Sequence, residues 1–189
     1  MDTQGENRLL EEIHNGKKDA FAELVEPFIA KSYQTAYAIL RSTHLAEEAV
    51  QNAMLEAYKS IKSGKEIRNF SGWFSRIVAN RALDLVRMES RHCSGLDIDG
   101  VVVQDTAATP IDEMMKKEQS SQLLDAVMSL EIGKRTVIVL HYFQDMKIEE
   151  IAVLLHLSEG NVKTRLHRAR ISLRKLVPFP EVHEKVVRL

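Results

Sequence analysis

Apolar residues recur three and four positions apart along most of this 189-residue chain, and that spacing predicts helices nearly throughout. Leu9, Leu10 and Ile13 give a short helix over residues 8–15, with Gly16 as its stop. From Asp19 to Leu40 the positions Phe21, Leu24, Val25, Phe28, Ala36, Ile39 and Leu40 keep helical spacing. Pro27 lies inside that run and predicts a kink or a break. Thr43 is suited to cap a helix from about Leu45 to Lys62. Its inner face is Leu45, Ala46, Ala49, Val50, Ala53, Met54, Ala57, Tyr58 and Ile61; its outer face is Glu47, Glu48, Gln51, Asn52, Leu55 and Glu56. Residues 63–71 read as a loop, and a helix follows from about Gly72 to Arg91, with Phe74, Ile77, Val78, Leu85 and Val86 toward the core.

The pattern then lapses. Residues 92–110, HCSGLDIDGVVVQDTAATP, are acidic and rich in small residues, and read as a linker; the three valines alone lack a strand to pair with. Thr109-Pro110-Ile111-Asp112 combines an N-cap, a proline at the first helical position and an acid, which starts a helix running to about Ser129. Residues 134–143 hold TVIVLHYF, whose residue types favour strands, but with no partner strand they read as a buried helix. In the stretch Lys147 to Lys175, Ile148, Ile151, Ala152 and Leu155 make one helix, and a tight turn follows. A second helix capped by Ser158 carries the stripe Val162, Leu166, Ala169, Leu173 and Leu176, and Pro178-Phe179-Pro180 stops it. The expectation is an all-α chain of two small helical domains joined by a flexible linker, the C-terminal one containing a helix-turn-helix. The boundaries are 1–92, a linker over 93–112, 113–178, and a tail over 179–189.

Charge changes the picture because it is segregated. The formal net charge is −1, yet residues 1–92 balance, 93–112 hold four Asp and no base, and 113–189 hold 13 bases against 10 acids. From Ser158 to Leu176 six Lys or Arg face one acid, Glu159. Opposite the apolar stripe of that helix lie Gly160, Thr164, His167, Arg168 and Ile171. A basic outer face is either simply solvated or suited to the DNA major groove, and the preceding helix and short turn favour DNA. One cysteine, Cys93, excludes a disulfide framework and points to a reducing compartment. The polar start and the lack of any apolar run near ~20 residues predict a cytoplasmic chain not inserted in a membrane.

Catalytic constellations are missing: no phosphate loop, no HExxH, and no Cys–His pair at metal spacing. No enzyme, cofactor or metal is expected. Leu55, alone among acids and amides, is either a stray exposed leucine or the anchor of a protein contact. Asn80, Asp84, Arg87 and Arg91 share one stripe, either solvated or ready for phosphates, and Phe70 and Trp73 are more readily core than stacking platforms.

Two separated stretches carry a resemblance. LSEGNVKTRLHRARISLRKL, following a helix with EEIA, resembles region four of bacterial sigma factors. AEEAVQNAMLEAYKSI followed by FSGWFSRIVANRALDLVR resembles region two. Two regions, a linker and no N-terminal extension resemble an extracytoplasmic-function (ECF) sigma factor. That resemblance implies a transcription initiation factor that binds core RNA polymerase and promoter DNA and assists opening, with an anti-sigma factor, often membrane-bound, as a further partner. It implies polymerase contact through Glu48, Gln51, Asn52 and Leu55. The downstream promoter element falls to Arg68, Asn69 and Phe70, with Asn80, Arg87 and Arg91 along the DNA; the upstream element falls to Ser158, Gly160, Lys163, Thr164, His167 and Arg168. A linker of some 19 residues reaches on the order of 65 Å, comparable to the ~70 Å between elements two helical turns apart. The alternative is a stand-alone helix-turn-helix regulator, which needs an input domain that residues 1–92 do not resemble.

Four departures from the family pattern stand out. His156 occupies a turn position where Gly is common and must bend the backbone there, Lys147 replaces a hydroxyl cap, and Glu131 stands where Pro is common. Asn52-Ala53-Met54 replaces acidic, hydroxyl and aromatic residues on the docking helix.

Overall fold

Helices form wherever the apolar spacing asks for them, in a computed structural model that describes residues 3–92 and 118–176. In chain order they are α1 (Thr3–His14), α2 (Asp19–Leu40), α3 (Thr43–Lys62), α4 (Phe70–His92), α5 (Glu118–Ser129), α6 (Ile132–Ile138), α7 (Ile148–Leu155) and α8 (Glu159–Leu176). Among the described residues there is no strand. The linker, the start of the helix expected from Thr109, and the Pro178–Pro180 stop lie outside the described residues. Two compact units result, one within Met1–Leu40 and His44–Leu85, the other holding Arg41–Thr43 and the chain from Val86 on.

In the first unit, Leu9 and Ile13 of α1 and Leu24, Val25 and Ile39 of α2 are buried, and α1 packs along α2. Of the kink or break expected at Pro27, the break does not occur: α2 runs through it as one helix of 22 residues. Burial of Leu24 and Val25 before the proline, and of Ser32, Thr35, Ala36, Ala38, Ile39 and Leu40 after it, holds both halves in one helix. Thr43 is the first residue of α3 rather than its cap, and α3 buries an alanine-rich face: Ala46, Ala49, Val50, Ala53, Ala57 and Ile61. Small side chains there let neighbouring backbones approach. The loop after α3 ends two residues earlier than expected. Asn69 accepts the Gly72 N–H through Oδ1 at 3.0 Å and caps α4.

In the second unit α8 packs on α5, α6 and α7. Residues 134–143 are indeed helical, since burial overrides strand propensity: apart from Lys134, every residue from Ile132 to Leu140 is buried. The helix widens to a π turn over Val139–Phe143, closed by the Gln144 N–H on the Val139 carbonyl at 3.2 Å. Beneath α5, Arg135 is 3% exposed and donates through one terminal nitrogen to the Leu130 carbonyl at 2.7 Å. A guanidinium there meets the negative end of the α5 dipole, which is why a charge can be buried in so small a unit.

Three helix ends use one device. At α1, Gly16 (φ +98) donates to Ile13 at 2.9 Å and Lys17 to Glu12 at 3.0 Å; at α3, Gly64 (φ +78) donates to Ile61 at 3.0 Å and Lys65 to Ser60 at 3.2 Å. At α7 the same pair of bonds joins His156 to Val153 at 3.3 Å and Leu157 to Ala152 at 2.9 Å, but the left-handed residue is His156, at φ 54 and ψ 42. The strain expected at His156 is therefore present.

Candidate functional site

The helix-turn-helix is built by α7, the turn His156–Ser158, and α8. Lys147 has no acceptor to offer as a cap, so its backbone N–H instead donates to the Glu150 carboxylate at 3.0 Å, which satisfies the start of α7 from within. Ser158 caps α8 as expected: Oγ accepts the Asn161 N–H at 3.2 Å. Val162, Leu166, Ala169 and Leu173 are buried, which fixes the rotation of α8 and turns the opposite side outward. Leu176, expected in that stripe, is 52% exposed; the last turn, with Arg174 and Lys175, lies beyond the buried stripe.

Ser158, Gly160, Lys163, Thr164, His167 and Arg168 are all exposed, and the fold brings them together along one side of α8. Their polar groups are committed to different degrees. The Thr164 hydroxyl donates to the Gly160 carbonyl at 2.8 Å, leaving its lone pairs and methyl to the outside. Lys163 sits 3.5 Å from Glu159, both well exposed, so the pairing is weak and exchangeable. The His167 ring and the Arg168 guanidinium have no partner among the described residues. Arg170, by contrast, is turned to the side of α8, where its Nε–H donates to the Tyr142 hydroxyl at 2.7 Å and its guanidinium lies 5.8 Å from that ring. The result is a narrow cationic face with a small, methyl-bearing centre. Such a face can donate to base edges and phosphates while a helix backbone approaches closely.

On the first unit, Leu55 is 58% exposed and belongs to no core. Gln51 and Asn52 are exposed beside it and Glu48 is half-buried, so the four share one outward face of α3. Glu56 is drawn aside into an ion pair with Arg81 at 3.0 Å.

Around the α3–α4 loop one expectation is corrected. Phe70, expected among the base-contacting groups, is 1% exposed. It stacks on Phe74 at 5.4 Å and packs against Phe28 and Trp73, so the aromatic core of the unit occupies its ring. Arg68 is exposed and paired with Glu66 at 2.9 Å. Asn69 is exposed, with Oδ1 used by the cap, which leaves its Nδ2 amide to donate outward. Trp73 is half-buried with Lys65 Nζ 5.5 Å above its ring. Asn80 and Arg87 are half-buried along α4, and Arg91 lies in its last turn. Among the described residues no group of acids, histidines or cysteines could hold a metal ion, and no helix is long and apolar enough to cross a membrane.

Sequence reasoning missed Arg135 and the Arg170–Tyr142 pair. Position offered one signal: both arginines lie on sides of their helices that other helices cover, where a cation needs a named acceptor.

Known protein families match both helical segments. Residues 24–92 match Sigma-70 region 2 and residues 120–173 match Sigma-70, region 4. The chain is 34% identical over 175 residues to the ECF RNA polymerase sigma factor SigW of Bacillus subtilis, covering 88% of this chain and 93% of that one. It is 28% identical over 175 residues to the ECF RNA polymerase sigma-E factor of Haemophilus influenzae, covering 86% and 89%. Its fold is similar to RpoE of Bartonella quintana, solved with the anti-sigma factor NepR, at a TM-score of 0.63, 23% identity and coverage of 87% and 99%. It is also similar to CnrH, solved with the cytosolic domain of CnrY, at 0.57 and 23%, covering 91% and 96%.

Proposed function

The chain belongs to the ECF RNA polymerase sigma factors, and we propose from that membership how its exposed faces divide the work. As a sigma factor it directs RNA polymerase to promoters. In this reading residues 1–92 bind core polymerase through Glu48, Gln51, Asn52 and Leu55 and handle the downstream element. Arg68 and Asn69 reach bases there, while Asn80, Arg87 and Arg91 follow the backbone. Residues 93–112 tether residues 113–178, whose α8 enters the major groove of the upstream element, and 179–189 form a tail.

Chemistry supports the assignments. A leucine left in water among amides and a carboxylate is what a protein contact buries. Arg168, without a partner among the described residues, can reach a guanine edge bidentately, and His167 beside it can donate or accept. The protein acts without catalysing a reaction, in the cytoplasm where polymerase and promoters are. An anti-sigma factor, the class of partner bound to the RpoE relative, is its expected antagonist.

One observation carries the DNA assignment: the buried stripe of α8 forces Arg168 and His167, which have no partner among the described residues, outward on one exposed side. Core polymerase reconstituted with the purified chain should start transcripts at discrete sites, and sequencing those starts defines both elements. Failure to form a complex on gel filtration would sink the reading.

A further inference from the structure

We infer that Ile171 is a further specificity-determining residue, packing against the C5 methyl of a thymine close to the base pair that Arg168 contacts; this rests on the assignment of α8 to the major groove of the upstream element. On the helical wheel of α8 the buried stripe of Val162, Leu166, Ala169 and Leu173 points one way, and Thr164 and Ile171 lie almost directly opposite it. Ile171 is accordingly 42% exposed. It stands among basic side chains: His167 and Arg168 lie one turn before it and Arg174 and Lys175 one turn after, all exposed. Neither packing nor propensity accounts for an isoleucine there. It is on the far side of the helix from the buried stripe, and a β-branched side chain on a wet face forms helix less readily than the Lys and Arg around it.

The chemistry of the groove names what Ile171 meets. Its side chain has no donor or acceptor, so it can bond neither a phosphate nor the polar edge of a base. The apolar group that a base pair presents in the major groove is the thymine C5 methyl. Thr164, Arg168 and Ile171 follow one another along the outward side at i, i+4 and i+7. With a rise of about 1.5 Å per residue, Ile171 lies about 4.5 Å past Arg168 along the helix, and bases stack about 3.4 Å apart. The thymine therefore falls about one or two base pairs from the one that Arg168 contacts, on the side away from Ser158. The basic side chains that flank Ile171 suit a groove walled by phosphates better than the apolar surface of a protein partner.

Holoenzyme made from core RNA polymerase and the full chain tests the inference. The probe is promoter DNA in which each thymine of the upstream element is replaced singly by uracil, which removes the methyl and nothing else. At one position beside the base pair governed by Arg168, the unaltered chain is expected to lose roughly fourfold in affinity, the effect of one buried methyl. Ile171→Val should keep that sensitivity and Ile171→Ala should erase it. Unfolding temperatures should stay close to that of the unaltered chain, because the side chain faces solvent. Absence of any uracil-sensitive position in the unaltered chain overturns the inference, whatever the variants do. Sensitivity that survives Ile171→Ala overturns it too, and its loss in Thr164→Ser would then assign the methyl contact to Thr164. If Ile171→Ala instead weakens every promoter alike, or keeps DNA and loses a protein, the side chain meets something other than a base and the inference fails. Arg168→Ala separates that from failure of the α8 assignment: a variant that still selects the same upstream sequence ends the assignment, and the inference with it. Should Ile171→Ala unfold, Ile171→Gln, which also removes the apolar end, decides in its place.

Discussion

The Tyr142 hydroxyl accepts the Arg170 Nε–H at 2.7 Å, joining the π turn to the middle of α8. The bond holds one of six cations of α8 against the protein and away from the basic face. Tyr142→Phe keeps the ring and removes the acceptor, leaving a half-buried guanidinium short of a partner. Chemical denaturation should show a loss of about 1–2 kcal/mol. Preference among promoter sequences should be unchanged, because Arg170 is not on the outward side.

His156 offers the opposite sign. It holds φ 54 where two other helix ends of this chain use glycine. His156→Gly relieves a left-handed non-glycine residue while loosening the unfolded chain, and the balance should stabilise by roughly 0.5–1 kcal/mol. A rise in the thermal midpoint of the variant checks it.

Gly160 separates folding from binding. Among the described residues a Cβ built there meets only the Ser158 Oγ, at 4.0 Å, so none of them requires glycine. Gly160→Ala should therefore leave stability equal or slightly higher. Promoter affinity should fall several-fold, measured by anisotropy of holoenzyme on DNA, because the added methyl points where the DNA backbone would sit.

Arg168 and Lys163 should fail in different ways. Arg168→Ala is expected to cost about 1–3 kcal/mol and to relax preference at a single base pair. Lys163→Ala should weaken all promoters alike and lower the salt slope of binding by about 1. Selection of bound sequences from a randomised upstream element distinguishes the two.

Leu55 is already in water, so Leu55→Asp should change stability by no more than about 0.5 kcal/mol. Complex formation with core polymerase should be lost. An unfolded variant would instead return Leu55 to the core.

Periodicity made the helices legible because most of them bury one stripe and wet the other. Val162, Leu166, Ala169 and Leu173 are buried as their spacing requires, and their regularity is what set Arg168 outward. Phe70 is core, as its residue type favoured, and only the resemblance placed it among the base-contacting groups; the reason it turns inward is local. It follows the polar pair Arg68–Asn69 in what reads as loop, and only the Asn69 cap, which starts α4 at Phe70, turns its ring inward. Residues 139–143 could not announce a π turn, since one extra residue leaves no mark on a period within a stretch of five. Arg135 was illegible too: its acceptors are backbone carbonyls, which every sequence has.

Pro27 did not break α2, yet it leaves a trace on the surface. Having no N–H, it cannot serve the carbonyl of Glu23, four residues back. That oxygen is left for water or for a donor brought from outside. That turn of α2 thus carries a main-chain acceptor beside the exposed carboxylates of Glu23 and Glu26, one that neither pH nor a side-chain substitution at Glu23 would remove. Pro27→Ala would close it by restoring the helical bond.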